Sequence, residues 1–250
     1  MNNSTKKMSD NRKALPKFLK ILLISMIFGF IVGIMTGYFS GTNVPEQFVL
    51  QTHTILAKIA PTSIWIVTIL FGGLGIYQYF QAKKLFESWD GEDEEIINKA
   101  ELKISWSILY SNTAMILNFF FFGCVSLLSE TSILQGILGF FVSIVLVILL
   151  QQKSVDLTRK MNPEKQGSVY DPNFQKKWLA SCDENEVRQI GQAAFKSWTM
   201  TNYTCIGLWL VILILSPIIE NNIFSMVVVT VIWAVLQISY LLESIRISKK

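Results

Sequence analysis

"ISWSILYSNTAMILNFFFFGCVSLLSETSILQGILGFFVSIVLVILLQQ", residues 104–152, contains a single charged side chain, Glu130, with a long uncharged run on either side of it. Each run can cross a hydrocarbon core about 30 Å thick, which takes roughly 20 helical residues at 1.5 Å of rise per residue. A soluble domain carries about a quarter of its residues as Asp, Glu, Lys or Arg. Here they make up 16%, while 51% of the 250 residues are hydrophobic. Further uncharged runs cover 21–45, 59–82, 197–219 and 221–242. The pattern predicts an all-α polytopic membrane protein forming one integral membrane domain over 1–250, with six transmembrane helices at roughly 18–39, 62–82, 104–128, 132–152, 197–218 and 222–242.

Orientation follows from the basic residues, because retained lysine and arginine mark the cytoplasmic side. Lys6, Lys7, Arg12, Lys13, Lys17 and Lys20 precede the first span, and Arg246, Lys249 and Lys250 follow the last. Between them, segments 83–103 and 153–196 carry nearly all remaining positive charge, against Lys58 alone on the opposite side. Both termini and both segments are therefore expected in the cytoplasm. The net charge of +4 is a topology signal facing anionic headgroups rather than a nucleic-acid footprint, so no direct nucleic-acid binding is expected. The basic start and first apolar run read as a retained span, since the run is too long for a signal-peptide core and lacks an Ala-x-Ala site.

Within the first span, Gly29, Gly33, Gly37 and Gly41 recur at every fourth position. In a water-soluble helix each would cost about 1 kcal/mol relative to alanine. In lipid such a stripe lets a neighbouring backbone come close, so it reads as a helix-packing groove. Its counterpart is either the cluster Gly72, Gly73 and Gly75 of the second span or a second copy of the chain.

On the outer side a loop is expected after the first span, followed by two short turns. Glu46, Glu130 and Glu220 fall one in each outer connection. They read either as a ring attracting a cation or as separate solvated charges. The inner segments read as amphipathic helical hairpins. One turns at Asp90 and Gly91; the other is expected to start with Asp171 as cap and Pro172 at the first helical position, and to break at Asp183, where Glu186 stands at capping-box spacing. An offset of 93 residues aligns Lys83 and Lys84 with Lys176 and Lys177, Ser88 with Ser181, Asp90 with Asp183 and Ala100 with Ala193, which suggests an internal repeat. Trp89 and Trp178 lie on the cytoplasmic helices and, with Lys83, Lys84, Lys176 and Lys177, are the candidates for an inner contact.

Much chemistry is absent. One histidine excludes multi-histidine metal sites, and the three cysteines, Cys124, Cys182 and Cys205, have no Cys-x-x-Cys spacing. Phosphate-binding, dinucleotide-binding and Gly-x-Ser-x-Gly patterns are missing, so no catalytic residues, cofactor or metal are expected. No acidic or basic side chain falls inside the six runs, which disfavours a proton-driven pump. Asn112, Asn118, Gln135, Asn202 and Gln237 do fall there and are expected to bond between helices, at about 0.6 kcal/mol each.

The stretch from Asn162 to Leu210 resembles the signature region of an uncharacterised family of six-span bacterial membrane proteins, found mainly in Gram-positive bacteria and known only as a domain of unknown function. The residues that carry the resemblance are Pro163-Glu164-Lys165 with Gly167, the helix "FQKKWLASCDENE" from Phe174 to Glu186, and "AAFKS" leading into "TNYTCIGLWL". It implies the architecture, a multi-pass place in the bacterial cytoplasmic membrane and a DNA-binding regulator as partner. It implies no activity. Two functions stand open: a non-enzymatic protein that senses or regulates envelope stress through its cytoplasmic helices, and a permease-type subunit of a peptide exporter or resistance system served by a separate ATPase. The lipid bilayer is the certain partner of either, and a homo-oligomer is compatible with both.

Overall fold

A computed structural model describes residues 19–20, 23–24, 26–27, 29–31, 33–34, 37–38, 44–128, 133–215 and 223–248. Helix α1 (Val44–Val67) continues through a π-helical turn (Thr68–Gly72) into α2 (Gly73–Glu87). Then follow α3 (Glu94–Leu128), α4 (Ile133–Met161), the short α5 (Phe174–Ala180), α6 (Glu184–Leu215) and α7 (Ile223–Ser248). The described residues between 19 and 38 are helical as well, and no strand occurs among the described residues.

Five helical stretches among the described residues are long and apolar enough to cross a membrane: Glu46–Glu87, Glu94–Leu128, Ile133–Met161, Glu184–Leu215 and Ile223–Arg246. The protein is thus an all-α polytopic membrane protein. The first expected span, 18–39, is described only in part and is not among the five. Where an outer loop is expected after it, residues 44–61 are helical instead, and Pro61 lies inside α1. A proline removes one backbone donor, which a helix this long tolerates, and Glu46 sits in the first turn, where the helix dipole favours a carboxylate. The segments expected in the cytoplasm likewise extend the spans: α3 begins ten residues before Ile104, and α4 runs on to Met161.

By contact the chain divides into two compact units, Met1–Leu50 with Ala193–Lys250, and Gln51–Gln192. Two continuous helices, α1 and α6, pass through the boundary positions, so the division does not follow helix ends.

In the unit Gln51–Gln192, the rod of α1 and α2 packs with α3 and α4 along three successive clusters. Ala60, Ile64, Cys124 and Val125 form one, Val67, Ala114 and Val147 the next, and Ala82, Ala100, Ile104, Leu157 and Met161 the third. Small residues recur at these contacts because hydrocarbon gives helices no solvent-driven reason to associate, so close approach must supply the attraction. A Cβ added at Gly136 would stand 2.6 Å from Val125 Cγ1, one at Gly75 would stand 2.9 Å from Leu150 Cδ2, and one at Gly139 would stand 3.0 Å from Ile64 Cγ2. Hydrogen bonds complete the seam. Ser107 Oγ donates to the Gly75 carbonyl at 2.8 Å, and Asn118 Nδ2 donates to Thr68 Oγ1 at 3.0 Å and Ser143 Oγ at 2.5 Å. Asn118 therefore ties the π turn, α3 and α4 together.

In the other unit, Asn202 Oδ1 of α6 accepts from Trp233 Nε1 at 2.6 Å and Gln237 Nε2 at 2.7 Å of α7, and Trp198 lies against Tyr240 at 4.9 Å between ring centroids. Of the five span amides, Asn112, Asn118, Asn202 and Gln237 bond between helices, whereas Gln135 is exposed on α4.

Gly136→Ala and Gly75→Ala should each destabilise the detergent-solubilised protein by about 1–3 kcal/mol, the usual cost of overpacking. Gly123→Ala, whose Cβ would meet nothing within 4 Å, should leave the thermal midpoint unchanged or slightly raised. Equal midpoints for Gly136→Ala and Gly123→Ala would contradict the packing described.

Candidate functional site

The connector between α4 and α6, residues 162–183, holds the densest polar chemistry of its unit. It starts where α4 runs out: Asn162 Nδ2 donates to Glu101 Oε1 of α3 at 2.8 Å. Three residues on, Lys165 turns inward and is 4% exposed. Its ammonium pairs with Glu186 of α6 and lies 5.9 Å from the centre of the Trp178 ring. Gly167 follows at φ +125°, a conformation that disfavours any side chain, and a Cβ there would come within 2.8 Å of the Phe174 ring. Gln152 Oε1 of α4 then accepts from Ser168 Oγ at 3.0 Å and from the Val169 N–H at 2.8 Å. The connector is thereby pinned to α3, α4 and α6 in turn.

Glu186 serves two structures at once. Its Oε2 accepts the Asp183 N–H at 2.9 Å while Asp183 Oδ1 accepts the Glu186 N–H at 2.7 Å, the reciprocal pair that the spacing predicts for a capping box. The same Oε2 neutralises Lys165. Burial works against the charge on Lys165, but the hydrogen bonds to Glu186 and Cys182 and the attraction of both groups outweigh it, so the ammonium titrates above the ordinary 10.5.

The turn geometry bears on the sequence reading. The helix after Asp171 begins at Phe174, not at Pro172, and its N-cap residue is Asn173 without a side-chain bond. Asp171 Oδ1 instead accepts the Asn173 N–H at 2.8 Å, and its Oδ2 pairs with Lys177 at 2.6 Å. The Lys177 ammonium first, and the Asn173 N–H second, hold the Asp171 carboxyl below its usual range. Competition from this local turn delays the helix. The break at Asp183 is present, between Ala180 and Glu184. So is the turn at Asp90 and Gly91: Gly91 has φ +94°, and Asp90 Oδ1 accepts from the N–H groups of Glu92 and Asp93, which lower its pKa.

The two junctions aligned by the 93-residue offset are built alike at two points, and at the first of them Asp90 and Asp183 each accept the N–H three residues on, at 3.1 Å and 2.7 Å. Ser88 and Ser181 are both helix C-caps, with Ser88 Oγ donating to the Leu85 carbonyl at 2.9 Å and Ser181 Oγ to the Trp178 carbonyl at 2.8 Å. Elsewhere they differ, since Ala100 is buried and Ala193 exposed.

The expected contact residues are not gathered in one place. Trp178 borders two cavities. One, of ≈ 260 Å³, is polar and includes Glu101, Asn162, Lys165, Cys182 and Glu186; the other, of ≈ 420 Å³, reaches down to Asn112 and Gln151. Trp89 borders neither and rests on Phe86, 6.2 Å between ring centres. Lys83 pairs with Glu87 at 3.5 Å, and Lys84 and Lys176 are exposed. Of the glycines expected to pack, Gly75 has a neighbour within 4 Å of an added Cβ; at Gly29, Gly33, Gly37, Gly72 and Gly73 an added Cβ meets no described atom within 4 Å, and Gly41 lies outside the described residues. Glu46 is exposed, and Glu130 and Glu220 lie outside the described residues.

The family model described as "Protein of unknown function (DUF3169)" matches residues 12–244. The chain belongs to this family. The DUF3169 match takes in α1 to α6 and the connector between α4 and α6, so the site lies within the family's shared region. No curated protein and no solved structure matches the chain.

Residues not expected from the sequence to form a contact site make up this one: Lys165, Asn162, Gln152 and Glu101. Lys165 stands inside the Pro-Glu-Lys motif, but its partner is 21 residues away and no spacing rule connects them.

Replacing Glu186 by Gln should cost about 3 kcal/mol, because it leaves a buried ammonium unpaired, and 35% exposure of the carboxylate side chain keeps the loss near the low end. Lys165→Met, which removes the charge itself, should cost less. The raised lysine pKa also has a sign. Its stabilisation is full below 10.5 and is lost as pH rises through the higher folded-state value, so alkaline titration of thermal unfolding should show a loss in the wild type that Lys165→Met lacks.

Proposed function

We propose that the protein is a non-enzymatic regulatory or sensory component of the bacterial cytoplasmic membrane, with both termini and the connector in the cytoplasm. The observation that carries this reading is the pair between buried Lys165 and partly exposed Glu186, in which one carboxylate oxygen both starts a membrane-length helix and holds down the connector. A pair so placed transmits: opening the connector frays the start of α6, and any force on α6 reaches the connector. Buried ion pairs add little net stability compared with apolar packing but discriminate strongly between the paired and the broken arrangement. That is the property of a two-state element rather than of a strut.

A protein bound to the connector is the expected reader, and a DNA-binding regulator is the partner this reading favours. Affinity capture from detergent-solubilised cells should recover such a regulator with the wild type, and Lys165→Met or Glu186→Gln should change its recovery. Recovery of an ATPase instead would support the exporter reading. The same partner list for the wild type and both variants would remove the connector from the proposal. Reporter fusions supply the orientation: residue 170 should be cytoplasmic, and residues 130 and 220 external.

A further inference from the structure

The larger of the two cavities beside Trp178 has a lining unlike its neighbour's. Its ≈ 420 Å³ fall within the usual range for small-molecule sites, roughly 300–1,000 Å³. Not one of the side chains lining it is ionisable. A charged group entering it would lose its hydration without meeting a counter-charge, so the cavity selects a neutral ligand. Three elements form it: α3 and α4, which contribute Asn112, Gln151 and Val155, and the connector, which lays Val169, Phe174 and Trp178 across them.

On the α3–α4 wall of the cavity two amides stand side by side. Gln151 Nε2 donates to Asn112 Oδ1 at 2.9 Å, which satisfies one atom of each side chain and orients both. What remains on that wall is the Asn112 amide as a donor and Gln151 Oε1 as an acceptor. A hydroxyl next to a carbonyl matches this arrangement, the hydroxyl donating to Gln151 and the carbonyl accepting from Asn112. Asn112 lies within the uncharged stretch 104–129 and Gln151 at the end of the stretch 131–152, two residues before Lys153, which puts the cavity beside the expected inner boundary of the bilayer and within reach of a lipid. Of the other lining residues, Thr158 has its hydroxyl donated to the Ser154 carbonyl at 3.0 Å and Gln175 adds an amide, while Ile108, Val155, Val169, Phe174 and Trp178 give aliphatic and aromatic surface suited to an acyl chain.

We propose that this cavity binds a neutral acylglycerol, a mono- or diacylglycerol of the bilayer, by its free hydroxyl and ester carbonyl. The ligand would lie against Trp178, whose ring also faces the Lys165 ammonium, and in this way would bias the ion pair. The consequence for regulation rests on the preceding proposal; the binding does not, and it is tested without any partner protein.

The test uses the full-length protein in phosphatidylglycerol nanodiscs with a monoacylglycerol carrying a diazirine in its chain, and cross-linked residues are mapped by mass spectrometry. Label should concentrate on Val155, Phe174 and Trp178 and be displaced by unlabelled monodecanoylglycerol, but not by decanoate or by added phosphatidylglycerol. Val155→Trp, which fills the cavity, should abolish the label. The double variant Asn112→Leu with Gln151→Leu removes both partners of the internal hydrogen bond together, so it should keep its thermal midpoint while apparent affinity drops about tenfold. Label spread over exposed positions such as Leu134 and Phe141 and unchanged in the double variant would overturn the proposal, as would equal displacement by decanoate. Neither result depends on whether partner capture succeeds.

Discussion

Hydrocarbon gives a helix no reason to hide its leucines, and nearly everything in this structure follows from that constraint. Leu134, Phe141 and Leu149 are exposed along α4, as expected for side chains that meet lipid, while the helix contacts are made by Ala60, Gly75, Ser107, Ala114, Gly136 and Ser143. Attraction between helices comes from dispersion at close range and from a few hydrogen bonds that water cannot contest. Asn118 illustrates the second term, since one side-chain amide serves both the π turn of the α1–α2 rod and α4.

Where the helices leave the bilayer the rules change, and the connector shows both sets at once. Water can now compete for every polar group, so holding the loop requires charge, caps and a glycine at positive φ. Lys165, Glu186, Asp183 and Gly167 supply these within a short stretch of chain. Lys165 is buried by the connector's own fold and remains charged because Glu186 faces it. The neighbouring cavity shows the opposite chemistry, with Asn112 and Gln151 bonded to each other and no ion near them. Trp178 separates the charged side from the neutral one and touches both.

Local signals in the sequence translated well. Asp90 with Gly91, and Asp183 with Glu186, lie within one turn of each other, so the covalent chain alone brings them together. Asp171 with Pro172 is instructive because it fails. The Asx turn and the Lys177 ion pair compete for the same carboxylate that would cap the helix, and they delay it to Phe174. Gly136 and Gly139, which no regular spacing in the sequence marks, are closely packed.

By itself the sequence determined the solvent, the helical class and the chemistry of the helix ends, because charge depletion, span length and capping act over a few residues or add up along the chain. Only the tertiary structure decided which glycines touch, that Lys165 finds Glu186, and that two amides line a neutral cavity under Trp178. Those outcomes depend on the rotation of each helix about its axis, and a helix turns about 100° per residue. A small change in rotation or register exchanges one set of neighbours for another while leaving composition and periodicity untouched.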